Sequence, residues 1–301
     1  MSKESYMADG RIIKALSGFY YVQDEVNKEI YQCRGRGNFR KRKITPLVGD
    51  FVVYEAENKT DGYVLEIKKR ENELVRPPIA NIDQAFLVFS ATQPTFNTQL
   101  LDKFLVHIEA SDIRPIICIS KIDLVSNVEE SEILAYAGDY RDVGYDVIVS
   151  SAQSLSGVSE IEPYFQEKVT VFAGQSGVGK SSLLNAINPD LELDTSDIST
   201  HLGRGKHTTR HVELIPFGSG LVADTPGFSS LDFRGIEADD LWLYFPEIQA
   251  KSSDCKFRAC THQSEPGCAV KVAVEKEEIK AYRYDHYSSF FQEIKDQKRR
   301  Y

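Results

Sequence analysis

The first quarter of the chain alternates short runs of β-branched and aromatic residues with polar turns. Runs of this length and alternation predict β-strands. Five strands in so short a segment indicate a small barrel, OB-like or, from the pattern alone, SH3-like. The five runs lie at residues 11–13, 19–22, 29–31, 51–54 and 62–65.

Beyond Arg76-Pro77-Pro78 the pattern changes to apolar runs separated by helical periodicity. Continuous apolar runs are typical of a parallel sheet that is covered on both faces. This α/β pattern ends near residue 232, and helical character returns at 237–242 and 273–298. The apolar runs lie at 85–89, 115–119, 146–149, 169–172 and 221–223, with a helical stretch at 98–110. We therefore expect a multi-domain α/β protein with an OB-like barrel over 1–72, an α/β domain over 73–234 and a small helical unit over 235–301.

Composition places the chain among ordinary soluble proteins. Of its 301 residues 42% are hydrophobic and 27% charged, which is near the average for globular domains. The N-terminus is too polar for a secretory signal, and no apolar run reaches the roughly 18 residues that a membrane helix needs. We expect a cytoplasmic monomer with no membrane association.

The net charge of -9 is unevenly distributed. Residues 1–77 carry 15 basic and 12 acidic side chains, whereas residues 78–301 carry 21 and 33. A basic cluster within the predicted barrel is of the kind that attracts phosphate backbones, although a solvated hairpin loop would have the same composition. Its members are Arg34, Arg36, Arg40, Lys41, Arg42 and Lys43.

A phosphate-binding loop follows the apolar run at 169–172. The segment matches G-x-x-x-x-G-K-[ST] between a strand and a helix, the context that this motif requires. Its backbone N–H groups and lysine are suited to phosphate oxygens, and its serine to Mg²⁺. The residues are Gly174, Gln175, Ser176, Gly177, Val178, Gly179, Lys180 and Ser181, with Ser182 continuing into the helix.

Asp224-Thr225-Pro226-Gly227 follows the run at 221–223 and supplies a second phosphate-site element. A carboxylate at the end of that strand would lie near the phosphates, where Asp224 is a candidate for Mg²⁺ and the N–H of Gly227 for the γ-phosphate. By itself the tetrapeptide is equally suited to a simple turn. Together with the phosphate loop it predicts nucleotide hydrolysis.

Ser120-Lys121-Ile122-Asp123 predicts a guanine-binding loop at the end of the run at 115–119. The Asp123 carboxylate can accept from the ring N1–H and the 2-amino group, whereas adenine would present an acceptor. The Lys121 stem can cover the ring. The usual pattern begins with Asn, so Ser120 removes an amide. Ser151-Ala152 follows the run at 146–149, where a further base-contacting loop is expected.

Three cysteines and a histidine near the C-terminus predict a metal site. Cys255, Cys260, His262 and Cys268 offer three thiolates and an imidazole, the ligand set of a closed, structural Zn²⁺ site. Four protein ligands leave no open position for catalysis, so we expect the zinc to stabilise the fold.

The order of these motifs is unusual, because the guanine-binding loop precedes the phosphate loop. With Gly203-Arg204-Gly205-Lys206-His207-Thr208-Thr209-Arg210 between the phosphate loop and Asp224, the whole chain resembles the circularly permuted RsgA (YjeQ/YloQ) family of ribosome small-subunit-dependent GTPases. The spacing of Cys255, Cys260, His262 and Cys268 is also that of the family's zinc unit.

The resemblance implies particular roles for the residues between the phosphate loop and Phe228. Thr208 or Thr209 is expected to close on the γ-phosphate and Mg²⁺, with Ser181, Thr209 and Asp224 forming the magnesium set. Phe228 stands where Ras-like proteins place the glutamine that orients the water. His207 is our candidate for that task, the alternative being a surface histidine in a basic loop.

The resemblance further implies a GTPase that assists late assembly of the small ribosomal subunit, contacts its rRNA and is stimulated by it. Its expected ligands are GTP or GDP, Mg²⁺ and one structural Zn²⁺. Two alternatives stay open from the residues: an RNA-binding assembly protein that uses GTP only as a structural ligand, and an ATPase or kinase built on the same phosphate loop.

Overall fold

The computed structural model describes residues 6–37, 39, 44–75, 77–189, 212–224 and 232–298, with Asp224 and Lys298 described by their backbone alone. The chain divides into two compact units. One comprises residues 1–86, 158–176 and 180–228, and the other comprises 87–157, 177–179 and 229–301. The three-domain division expected from the sequence stays a prediction. No helix among the described residues is long and apolar enough to cross a membrane.

The first unit begins with a closed five-stranded barrel in the order β1-β2-β3-β5-β4. Strands β3 and β5 are parallel, and the other pairs are antiparallel. This Greek-key order confirms the OB-like expectation. The strands are β1 (Tyr6–Leu16), β2 (Phe19–Asp24), β3 (Ile30–Gly35), β4 (Phe51–Asn58) and β5 (Asp61–Ile67).

Alternating apolar positions fill the barrel. Val22, Cys33, Val52 and Val64 are fully buried, because every second side chain of a strand points to the same side. Gly10 permits close approach of the strands, since a Cβ there would lie 2.4 Å from Val22 Cγ1. The barrel core thus follows from the alternation seen in the sequence.

The α/β part of the first unit has the strand order β8-β11-β13-β12. Strand β11 is parallel to β13, with Phe172 opposite Asp224, whereas β12 and β13 are antiparallel. The aromatic rings of Phe86, Phe165 and Phe172 pack against one another at centroid distances of 5.1 to 5.5 Å. The elements are β6 (Glu73–Val75), β7 (Pro78–Ala80), β8 (Gln84–Ser90), β11 (Val169–Ala173), β12 (Leu214–Phe217), β13 (Gly220–Asp224), α3 (Val158–Ile161) and α4 (Lys180–Ile187).

In the second unit the end of β8 adjoins β9, and β9 adjoins β10 in parallel. Every residue of β8 is buried, as expected for a strand that is covered on both faces. Helix α2 begins with a Ser126/Glu129 capping box. The elements are β9 (Arg114–Ser120), β10 (Asp146–Val149), α1 (Thr98–Glu109), α2 (Asn127–Val143), α5 (Pro246–Ser252), α6 (Ala269–Glu275) and α7 (Ala281–Lys298).

The C-terminal helices differ in detail from the periodicity. Residues 238–244 form a 3₁₀ helix, and the stretch at 273–298 is interrupted between α6 and α7. Glu277 has φ +61°, and the Glu278 N–H donates to the Ala273 carbonyl, which ends α6 within a polar run. Helical periodicity alone does not register such a local break.

A buried ionic network joins α1 to the C-terminal helices. The Asp102 carboxylate accepts from Arg283 Nη1, from Tyr140 Oη at 2.6 Å and from His286 Nδ1 at 2.6 Å. Arg283 Nε donates to Glu247 at 2.7 Å. Burial lowers the pKa of Arg283, but the charges of Asp102 and Glu247 outweigh it and raise that pKa. The guanidinium is therefore fully charged and fully paired inside the fold.

Candidate nucleotide site and metal centre

The phosphate loop has the backbone that its glycines permit. It runs from the end of β11 to the start of α4. Gly177 and Gly179 have φ values of +79° and +93°, a region in which side chains with a Cβ are strained. Lys180 Nζ donates to the carbonyls of Gly174 at 2.9 Å and Gln175 at 2.7 Å. The lysine therefore lies over the loop that it is expected to serve.

Two residues of the predicted guanine-binding loop contact the phosphate loop. Ser120 Oγ donates to the Val178 carbonyl at 2.6 Å, and Lys121 Nζ donates to the Gly177 carbonyl at 2.6 Å. Lys121 Nζ also donates to the Gln93 carbonyl at 2.5 Å. Ser120 and Lys121 thus connect the predicted base-binding and phosphate-binding segments, which lie more than fifty residues apart in the chain.

The two segments expected to contact the base are neighbours. The N–H of Ile122 donates to the Ser150 carbonyl at 3.3 Å, and Asp123 is exposed in the 3₁₀ turn at Ile122–Leu124. Ser151 is buried, and its hydroxyl accepts from the Ser154 N–H at 3.0 Å. Ser151 Oγ therefore supports its own turn, with Ala152 beside it.

The residues predicted to hold Mg²⁺ are described in part. Ser181 is 6% exposed at the start of α4, followed by Ser182. The backbone of Asp224 lies at the carboxyl end of β13, in register with Phe172, which is two residues before Gly174. His207, Thr208, Thr209 and Gly227 lie outside the described residues, as do Arg40, Lys41, Arg42 and Lys43 of the basic cluster.

The predicted metal ligands converge in the second unit. The four ligand atoms of Cys255, Cys260, His262 and Cys268 all lie within 4.8 Å of one another. His262 Nδ1 is 3.6 Å from Cys255 Sγ and 3.5 Å from Cys268 Sγ, and the two sulfurs are 4.0 Å apart. Tetrahedral zinc with ordinary bond lengths requires about 3.8 Å between thiolates and about 3.5 Å between thiolate and imidazole. The cluster fits Zn²⁺.

Comparison with known proteins agrees with this geometry. Residues 67–234 match the RsgA GTPase family, and residues 9–64 match the RsgA N-terminal domain. The chain belongs to the RsgA GTPase family. It is accordingly a hydrolase acting on GTP, so the family does not support the ATPase alternative.

Relatives in the RsgA family match over the whole chain. The small ribosomal subunit biogenesis GTPases RsgA of Bacillus pumilus and Bacillus subtilis are each 64% identical, over 98% of this chain and 100% of theirs. The crystal structure of YloQ, a circularly permuted GTPase, aligns with a TM-score of 0.84 at 59% identity, covering 97% of this chain and 96% of that one. YjeQ from Thermotoga maritima aligns with a TM-score of 0.85 at 35% identity, covering 96% and 99%. The chain thus aligns over nearly its whole length with a solved structure that is described as a circularly permuted GTPase.

The residues that orient the Cys/His cluster are not part of any motif recognised in the sequence. Ser252 Oγ lies 3.0 Å from His262 Nε2, which leaves Nδ1 to face the sulfurs. Tyr284 Oη donates to the His262 carbonyl at 2.6 Å, and Tyr287 Oη to the Thr261 carbonyl at 2.7 Å. Sequence spacing pointed to the four residues of this cluster but not to these supports, since Ser252 lies on α5 and both tyrosines lie on α7.

Glu265 is a further support that the sequence did not reveal. Its carboxylate accepts from the N–H and hydroxyl of Thr261 at 2.8 and 2.6 Å and from the N–H of Gln263 at 3.0 Å. Burial raises the pKa of Glu265, but these hydrogen bonds outweigh it and hold that pKa at about 2. The loop between α5 and α6, which carries all four cluster residues, is therefore stabilised by an ionised carboxylate.

Proposed function

We propose that this protein binds GTP with Mg²⁺ and hydrolyses it to GDP and phosphate in the service of small ribosomal subunit biogenesis. The observation that carries the proposal is the phosphate loop held by Ser120 and Lys121 beside the exposed Asp123. That arrangement supports guanine recognition by Asp123 beside a phosphate-binding loop. The names of the relatives supply the biological setting.

The nucleotide contacts follow from the chemistry of each segment. The N–H groups of residues 174–181 and Lys180 offset the charge of the phosphates, while Asp123 accepts from the guanine N1–H and 2-amino group. Ser181, Asp224 and Thr209 would hold Mg²⁺, which supplies charge neutralisation at the β- and γ-phosphates. Thr208 is the alternative to Thr209.

During hydrolysis water bonds to the γ-phosphorus as the bond to the β–γ bridging oxygen breaks. Lys180 and the loop N–H groups stabilise the charge that develops on the leaving β-phosphate. Phe228 cannot orient the water, so His207 is proposed to accept a hydrogen bond from it, next to the switch threonine. Turnover is therefore slow until the ribosomal subunit completes the geometry.

The barrel offers a surface suited to rRNA. Phe19, Arg34 and Tyr63 lie opposite one another on β2, β3 and β5, so they share one face. The Arg34 guanidinium lies 5.2 Å from the Phe19 ring centre, and Tyr63 is 42% exposed. Exposed rings and guanidinium groups stack on unpaired bases and contact phosphates. Tyr63→Ala should weaken subunit binding, whereas Ile30→Ala, an exposed residue at the other end of β3, should not.

The Cys/His cluster is proposed to hold one structural Zn²⁺ through Cys255, Cys260, His262 and Cys268. The fit of the interatomic distances and the support of His262 by Ser252 favour zinc over unligated thiols. A partner of ribosomal size further implies a cytoplasmic protein, and we propose that it acts there as a monomer.

The deciding experiment is GTP hydrolysis with and without purified small subunits. Stimulation by small subunits supports the proposal, and stimulation by large subunits alone would contradict it. Binding without phosphate release, even with small subunits, would instead indicate an RNA-binding assembly protein with GTP as a structural ligand. Asp123→Asn should relax the preference for GTP over ATP, with Asp112→Asn as an exposed control remote from this loop.

A further inference from the structure

Ser120 and Lys121 donate hydrogen bonds to the carbonyls of two consecutive residues in the phosphate loop. The donors are a buried hydroxyl, on a residue 4% exposed, and an ammonium group, and each donor-acceptor distance is 2.6 Å. Lys121 itself has φ +60°, a left-handed conformation at the turn after β9. The acceptors are the carbonyls of Val178 and Gly177. Both hydrogen bonds therefore act on the backbone of the loop.

These two hydrogen bonds fix the direction of the neighbouring N–H groups. A trans peptide is planar, so the carbonyl of one residue and the N–H of the next point in opposite directions. Holding the carbonyls of Gly177 and Val178 consequently aims the N–H groups of Val178 and Gly179 away from Ser120 and Lys121. Backbone N–H groups of such loops are the donors to the α- and β-phosphates.

The single hydrogen-bond donor of the Ser120 hydroxyl is occupied by this contact. A serine hydroxyl has a single O–H to donate, whereas the amide of an asparagine has two N–H donors. The Ser120 hydrogen is directed at the Val178 carbonyl, with the Phe89 carbonyl as a more distant acceptor at 3.2 Å. Guanine N7 is an acceptor, so it needs a donor that Ser120 no longer has.

We infer that Ser120 is a positioning residue for the phosphate loop and donates no hydrogen bond to guanine N7. Base selectivity then resides in Asp123, which reads the N1–H and 2-amino edge. The inference rests on the guanine recognition proposed above. It divides the Ser-Lys-x-Asp loop into two residues that shape the phosphate site and one that reads the base.

The experiment measures dissociation constants of the full chain for GDP, 7-deaza-GDP and GMP, the last by competition. Wild-type protein should bind GDP and 7-deaza-GDP within about twofold of each other. Ser120→Ala should weaken both by the same factor, about fivefold, since one buried hydrogen bond is removed. GMP, which keeps the α-phosphate but lacks the β-phosphate, should be weakened by a smaller factor than GDP.

Ser90→Ala is the matched control, since Ser90 is also buried at the end of a neighbouring strand and its hydroxyl accepts from the Thr92 N–H. This control should bind all three nucleotides as the wild type does. A wild-type preference for GDP over 7-deaza-GDP above about fivefold would overturn the inference, and needs no variant. So would a Ser120→Ala protein that binds GDP normally, or that loses GMP as strongly as GDP. A chain that binds none of the nucleotides contradicts the proposed function instead.

Discussion

The phosphate loop and the Cys/His cluster differ in the groups that they offer to a ligand, a nucleotide phosphate in the first case and a metal ion in the second. In the loop the binding groups are backbone N–H donors, and side chains such as Ser120 serve to aim them. In the cluster the binding groups are themselves side chains, and backbone carbonyls such as that of His262 are the points where supports attach. A change in the loop should therefore alter ligand affinity, whereas a change in the cluster should alter folding.

The largest expected effect comes from the cluster. Cys260→Ser, or removal of metal by a strong chelator, should unfold the C-terminal helices, because structural zinc contributes an apparent 10–16 kcal/mol, about the whole stability of a domain. Circular dichroism and limited proteolysis would measure the loss, with the isolated buried Cys33→Ser as a control for thiol removal. A folded C-terminus without metal would mean that the cluster resembles the phosphate loop in being dispensable for the fold.

The second-largest expected effect tests whether the stability of α7 depends on the metal alone. Arg283→Met removes the guanidinium from the buried carboxylates of Asp102 and Glu247, and leaving such charges unpaired costs about 3–5 kcal/mol. Urea unfolding with zinc present would measure this loss. Lys295→Met, on the same helix but on the surface, should cost less than about 0.5 kcal/mol. Equal stability of the two variants would mean that the packing of α7 depends on the metal alone.

The converse test is made in the loop. Lys180→Ala should reduce GTP turnover on the small subunit by roughly a hundredfold or more, since it removes a charge that stabilises the transition state. The melting temperature without nucleotide should stay within about 2 °C, because the hydrogen bonds of Lys180 to Gly174 and Gln175 go to carbonyls of the loop itself. A large drop in melting temperature would mean that the phosphate loop, like the cluster, is needed for folding, which contradicts the contrast drawn between them.

Sequence reasoning reached the groups that are proposed to touch ligands and missed those that orient them. The phosphate loop, Asp123 and the four cluster residues can be predicted from spacing, because the ligands proposed for them have fixed geometry. Glu265, Ser252 and the Asp102–Arg283 pair have no such constraint. Asp102 and Arg283 lie 181 positions apart in the chain, and only the packing of α1 against α7 brings them together. Similarly, periodicity predicted the helical unit but not the turn at Glu277.

The smallest expected effect concerns His107, which belongs to neither region. Its ring stacks on Phe233 at 5.5 Å between centroids, with Lys103 nearby and Asp232 as the facing acid. Burial, assisted by the charge of Lys103, lowers the pKa of His107 to about 4, against 6.5 for the unfolded chain. The unfolded chain therefore binds the proton first, and stability falls as the pH drops below 6.5.

Between pH 7.5 and pH 5.5 this histidine should remove about 1.4 kcal/mol from the free energy of unfolding. His107→Phe keeps a ring on Phe233 and should lose that part of the pH dependence, as measured by urea unfolding at both pH values with zinc in excess. The cluster contributes its own pH dependence through its thiols and imidazole, but equally in both proteins, so the difference isolates His107. If the wild type and the variant lose the same free energy of unfolding on acidification, the pH sensitivity lies in the metal ligands. His107 then contributes nothing to it.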